Sequence, residues 1–425
     1  MKTDSRVFAY RQDSLHAEEV ALADIAARFG TPTFVYSRAA LVQAYREFAS
    51  AAPGRRLLVC YAIKANSNLA VLDCLAREGA GFDIVSGGEL KRVLAAGGRA
   101  ERTVFSGVGK SAADIREALA AGVRCFNVES AAELHRLDAI ARDMNTVAPV
   151  SLRVNPDVDA RTHPYISTGL RDNKFGIAHE QAVALYRQAS QLAGIRLVGI
   201  DCHIGSQITE LAPFLAALDR VLDLLAELRD AGIRLSHIDL GGGLGIAYAD
   251  ETPPPRADLI RAVCERLDER LGEAAGDYEL MFEFGRAIAG PAGVLLTRVE
   301  YLKPTPSKQF AIIDAAMNDL LRPSLYGAYH RVWPVAPRQG ATRTWDLVGP
   351  ICESGDWLAR DRELALEAGD LLALADAGAY GMAMSSNYNS RGRAAEVMVD
   401  GAQALLVRKR EDFEHQIAGE RRLPD

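Results

Sequence analysis

The segment LLVCYAIKA (57–65) runs as an apolar strand and closes on Lys64. An amine there is poorly placed for solvent and well placed for a Schiff base, which needs a partly desolvated lysine that is not permanently charged. Alone, the residue reads more readily as a lysine snorkelling out into water. Its weight comes from companions at the ends of later apolar runs: Asp83 and Ser86, Asn127 and Glu129, Arg153 and Asn155, His203 and Ser206, Gly241-Gly242-Gly243, and finally Glu283 and Arg286. Leaving such groups buried and unpaired costs roughly 1–3 kcal/mol for each unmade hydrogen bond. Packing alone does not account for them.

GGGLG (241–245) can bring backbone N–H groups against an oxyanion, because no Cβ intervenes. Three glycines after a strand by themselves make only a turn. Their place after the seventh strand gives them meaning, since barrels hold phosphate between the last two loops. Ser206 can add a hydroxyl. Neither GxxxxGK[ST] nor GxGxxG occurs, which argues against a nucleoside triphosphate or a dinucleotide. A lysine, a phosphate cradle and a carboxylate (Glu283) able to face a pyridine nitrogen together point to pyridoxal phosphate. His203 suits stacking on the ring and equally suits a hydrogen-bonded core histidine.

These residues need a scaffold with eight equivalent strand ends. Strand-like runs at 57–65, 81–86, 103–107, 125–130, 150–156, 199–206, 237–243 and 279–285 alternate with amphipathic segments such as GELKRVLAAGG and SAAELHRLDAIARD. Eight βα units predict an α/β fold, a (β/α)₈ TIM-like barrel over 38–290. After 290, VLLTRVEYLK, QFAIIDA, TWDLVGP, DLLALADAGAY and AAEVMVDG read as strands with few helices between them. They predict a β-rich barrel or sandwich over 291–425, joined by residues 1–37, where VFAYRQ and TPTFVYS flank a short helix. Pro253–Pro255 mark a loop within the barrel.

A net charge of −7 with no basic run excludes nucleic acid as the main partner. The first residues carry no secretory signal and no stretch is long enough to span a bilayer. Six scattered cysteines without CxxC spacing suit reduced thiols in a cytoplasm and no zinc site.

The stretches YAIKAN, FDIVSGGEL, SLRVNPD, THPYISTGLRDNKFG, DCHIGSQI, DLGGGLG, LLRPSLYGAYH, VGPICESGD and DAGAYGMAMSSNYN, in this order, resemble the fold-type III pyridoxal phosphate-dependent decarboxylases, most closely the branch acting on diaminopimelate. The likeness covers residues 30 to 400. It implies a barrel plus a β-domain, a homodimer sharing its active sites, and a cofactor linked to Lys64. It places His203 on the ring, Glu283 at its nitrogen, Ser206, Gly241, Gly242, Gly243 and Arg286 at the phosphate, and Asp83, Gly285 and Tyr380 beside the cofactor. Cys352 is implied as the proton donor to Cα, reaching the neighbouring subunit's site; the loop otherwise reads as an ordinary buried turn.

By the same resemblance Arg286, Arg322, Tyr326 and Tyr380 surround the substrate's distal end, with Glu353 nearby. Two arginines call for a carboxylate and Glu353 for an ammonium. A substrate with an amino-acid group at each end satisfies both, and meso-2,6-diaminopimelate, giving L-lysine and CO₂, is one. An isolated Arg322 would more often make a surface salt bridge. An ornithine, arginine or carboxynorspermidine decarboxylase and a non-catalytic regulator are the alternatives; a racemase would carry arginine in place of Glu283. One position departs from the family pattern: Phe284 stands where proline is usual. This puts the geometry of Arg286 in doubt, and Phe284→Pro is expected to change kcat/KM modestly.

Overall fold

The computed structural model describes residues 7–158 and 174–424. Most of the THPYISTGLRDNKFG stretch lies outside the described residues. Eight parallel strands form a closed ring: β1 Leu57–Ala62, β2 Gly81–Ile84, β3 Thr103–Phe105, β4 Cys125–Val128, β5 Ala148–Asn155, β6 Ile195–Asp201, β7 His237–Asp239 and β8 Glu279–Phe284. Each pairs with its neighbour, β4 with β5 and β8 with β1, so no edge is left.

Most of these strands stop one to four residues before the positions expected from sequence. Lys64 therefore lies in a 3₁₀ turn, Ile63–Ala65, beyond the strand proper. The polar strand ends begin the next helix as well as building a site. Ser86 caps Gly87–Ala95 by accepting from the Glu89 N–H, Ser130 caps Ala131–Asp143 in the same way, and Ser111 and Asp114 form a reciprocal cap. Ser86 thus has a structural task.

Strand alternation sends every second residue inward. Leu58, Cys60, Val104, Cys125 and Met281 pack as one cluster from four strands. The His237 ring sits against Gly199, where any Cβ would come within 1.9 Å of it. His237 is 2% exposed, and burial, helped by Arg124, pushes its pKa from 6.5 down to about 3. The unfolded chain then binds a proton that the folded chain refuses. This contribution is present above pH 6.5 and is lost as pH falls towards 3. Urea unfolding should show His237 removing about 2 kcal/mol between pH 7 and pH 5. His237→Gln should flatten that part of the slope, and an unchanged slope would refute the assignment.

The chain divides into two compact units. One comprises residues 42–247 and 251–288; the other comprises 1–41, 248–250 and 289–425. The second is β-rich. Its nine-stranded mixed sheet places Thr33–Ser37 between Gly293–Pro304, antiparallel, and Ala395–Asp400, parallel. Strands Val332–Pro334, Trp357–Leu364 and Gln403–Arg408 were not read from sequence. A three-stranded sheet from Phe8 to Ala21 adds Phe8 and Leu15 to a core with Val35, Leu296, Trp333 and Val397. Among the described residues no helix is long and apolar enough to cross a membrane.

Candidate active site

At the carboxyl end of the ring, Lys64 Nζ lies 2.6 Å from Asp83 Oδ2. Its side chain is 39% exposed while that of Asp83 is wholly buried. The lysine is thus turned to a buried carboxylate, against the snorkelling reading. Asp83 Oδ1 has no hydrogen-bond partner among the described residues. A buried acceptor of this kind suits an incoming donor group.

Glu283, the last residue but one of β8, faces inward. Its Oε1 accepts from Ser106 Oγ and from Asn127 Nδ2, both at 3.1 Å, across the ring from elements three and four places away. Burial, then the negative charges of Asp83, Asp239 and Asp201, push its pKa well above the ordinary carboxylate range; Lys64 acts the other way. A carboxyl group this basic is a strong hydrogen-bond partner for a ring nitrogen, the pair sharing one proton. Asp201 and Asp239 were not singled out from sequence. They lie two residues before His203 and Gly241, and alternation brings them to the same inner face. Ligand atoms of Asp201, Asp239 and Glu283 all fall within 4.8 Å of one another. Burial raises Asp201 well above its usual range and Asp239 to about 7. Arg153, paired with Glu129 at 3.0 Å and 4.0 Å from Asp201, supplies positive charge.

His203 Nδ1 accepts from the Gly242 N–H at 3.1 Å, so its proton sits on Nε2. Burial first, then Arg153 and Lys64, push its pKa well below 6.5. It is a neutral flat ring, as stacking requires. The same bond changes the reading of the glycine triplet. Gly241 N–H donates to Asp239 Oδ1 and Gly242 N–H to His203, so two of the three donors serve the loop itself. The side chains are excluded even so. A Cβ on Gly242 would lie 2.1 Å from Glu283 O, and one on Gly243, at φ +109°, 2.4 Å from Gly205 O.

Arg286 opens the short helix after β8, is 6% exposed, and donates from Nη2 to Ser206 Oγ at 3.0 Å. Gly285 lets the two strand ends meet, since its Cβ would sit 2.9 Å from Ala65 Cβ. Phe284 points the other way. It is 1% exposed and stacks on Phe48 (centroids 3.9 Å) and Phe282 (5.3 Å), on the face opposite Glu283. The bulk that threatened Arg286 is therefore structural. Phe284→Ala should cost about 3–5 kcal/mol of stability while kcat/KM changes little; a large kinetic loss with unchanged stability would contradict this.

In the β-rich unit Arg322 is 6% exposed, a buried guanidinium and not a surface one. Its Nη1 meets His330 Nε2 at 2.9 Å, and its guanidinium lies 4.4 Å from the Tyr248 ring centroid. His330 Nδ1 donates to Ala375 O at 2.8 Å, which fixes Nε2 as the acceptor. Neither His330 nor Tyr248 carried a sequence signal. Tyr326 closes the same helix, Arg322–Tyr326. Tyr380 holds φ at +57°, a strained state for an aromatic residue that the surrounding fold must enforce. Cys352 is the exposed member of the six cysteines, so its loop is not a buried turn.

The pyridoxal-dependent decarboxylase family, by its pyridoxal-binding domain, matches residues 38–290. The chain is 61% identical over 417 residues to diaminopimelate decarboxylase of Pseudomonas aeruginosa, covering 98% of this chain and 99% of that one. It is 55% identical to the enzyme of that name from Vibrio cholerae, covering 98% and 99%. A crystal structure of diaminopimelate decarboxylase from M. jannaschii superposes with TM-score 0.94 at 36% identity over 98% of each chain. That of the Helicobacter pylori enzyme complexed with L-lysine gives 0.89 at 40% identity, covering 93% and 98%. With this carboxylate-lined ring end and this likeness over nearly its whole length, the chain belongs to the pyridoxal-dependent decarboxylases, in their diaminopimelate decarboxylase branch.

Proposed function

We propose that the chain decarboxylates meso-2,6-diaminopimelate to L-lysine and CO₂, the last step of lysine biosynthesis, with pyridoxal phosphate as cofactor. The observation that carries the reading is Glu283, a buried carboxylate fixed by Ser106 and Asn127 at the same ring end as Lys64 and the Arg286–Ser206 pair. The cofactor, when bound, supplies an electrophilic carbonyl and a ring that accepts the electron pair left by CO₂.

Lys64 would bear the covalent link, with Asp83 beside its amine. Ser206, Arg286 and the N–H of Gly243, the triplet's remaining donor, would hold the phosphate. Glu283 would keep the ring nitrogen protonated. Neutral His203 would cover one face without adding charge, and Tyr380 would bound the pocket. Cys352 would deliver the proton to Cα from Sγ, acting across the interface of a homodimer. Arg286, Arg322 and Tyr326 would take the distal carboxylate and Glu353 the distal ammonium. Arg322 supports that choice, since a substrate without the carboxylate leaves a buried guanidinium poorly matched. L-lysine bound to the Helicobacter pylori relative is the product expected here.

CO₂ release from meso-diaminopimelate, with and without added pyridoxal phosphate and with ornithine as control, tests the reading. Cofactor-dependent release from the first substrate alone is expected. Release from ornithine alone would transfer the assignment to a diamine-forming decarboxylase.

A further inference from the structure

Two short loops of the β-rich unit meet at four residues. Loop 349–356 is braced at its base by Asp356, whose two oxygens accept from the Met317 and Ile351 N–H groups at 2.7 Å each. Its tip carries Cys352 and Glu353. There the Cys352 N–H donates to Asn389 Oδ1 at 3.1 Å, and the Tyr388 hydroxyl donates to Glu353 Oε1. Two adjacent residues thus hold two adjacent residues.

The holding loop is itself anchored. Ser386 N–H donates to Asn318 O at 2.9 Å, Asn387 Nδ2 to Arg391 O at 3.0 Å, and Arg393 Nη1 to Asn387 Oδ1 at 2.8 Å. Asn389 and Ser390 both take the left-handed conformation, φ +54°. Asparagine tolerates that region better than most residues, and it is the region that turns the Asn389 amide to Cys352.

We propose that segment 387–390 is a clamp for the reacting loop: Asn389 is a positioning residue for the Cys352 thiol, and Tyr388 is one for the Glu353 carboxylate. The proposal rests on the roles given above to Cys352 and Glu353. A proton donor on an exposed tip must be held to ångström precision, since a 1 Å error can cost about a hundredfold in rate. The two halves of the clamp then have separable effects, one on proton delivery and one on binding of the distal ammonium.

The holoenzyme with meso-diaminopimelate provides the test. Asn389→Gly keeps the left-handed backbone and deletes the acceptor; Asn389→Asp keeps both. The glycine variant should lose about tenfold or more in kcat with little change in KM, and the aspartate variant should recover most of it. Tyr388→Phe should instead raise KM several-fold with a smaller effect on kcat. Iodoacetamide labelling read by mass spectrometry adds a readout independent of turnover, because the other five cysteines are buried. Its rate and pH profile at Cys352 should change in Asn389→Gly. Wild-type kinetics and labelling in that variant, or kcat and KM shifting alike in Asn389→Gly and Tyr388→Phe, would overturn the clamp. Cys352→Ala separates the two levels. Full turnover in it removes the proton-donor reading itself, whereas its collapse beside an unaffected Asn389→Gly removes only the clamp.

Discussion

Lys64→Ala is expected to abolish turnover of meso-diaminopimelate and, with it, the visible absorption of the lysine-linked cofactor. Its amine is the only lysine nitrogen placed beside Asp83 at the carboxyl end of the ring among the described residues, and no arginine can replace it in a Schiff base. The loss should not come from unfolding. Removing one partner of a fully buried ion pair costs about 3–5 kcal/mol, but Lys64 is 39% exposed, so solvent screening makes the penalty smaller. Lys64→Arg keeps a cation against Asp83 and should fold like the wild type while remaining inactive. Borohydride reduction of the wild type followed by peptide mapping should place the label on Lys64. Label on another lysine, or turnover surviving in either variant, would sink the scheme.

Glu283→Gln should lower kcat by on the order of 10²–10³ with KM little changed, the scale of removing one preorganised electrostatic partner of the reacting charge. Stability should move the opposite way. Glu283 is buried beside Asp201 and Asp239, and its folded pKa is raised. The folded chain therefore holds a proton there that the unfolded chain gives up above the usual carboxylate range. Its stabilising contribution is present below that range and is lost as pH rises from there through the raised folded pKa. Glutamine keeps an oxygen for Ser106 and Asn127 and carries no charge, so the unfolding midpoint of the variant apoprotein should hold or rise at neutral pH. A variant that lost both activity and stability would point to a structural carboxylate and away from a catalytic one.

Strand count, order of the polar strand ends and family membership are all local matters, and each was readable in the chain. An apolar run of five to eight residues ending in Lys64, Glu283 or a glycine triplet announces itself by composition, because burial of such runs dominates folding. What the sequence left open was direction and pairing. Phe284 and Glu283 are neighbours in the chain, yet alternation sends one into a stack with Phe48 and the other to Ser106 and Asn127. Asp201 and Asp239 looked like ordinary strand residues until the closed ring brought them together beneath Glu283. Arg322 could have been a surface ion until His330 and Tyr248 enclosed it. The sequence by itself determined which groups exist and that eight strands would present them at one end. Only the tertiary structure decided which of them meet. Desolvation and charge proximity depend on distance through space, and it is these that made Glu283 basic, His203 neutral and Gly242 a donor to the ring.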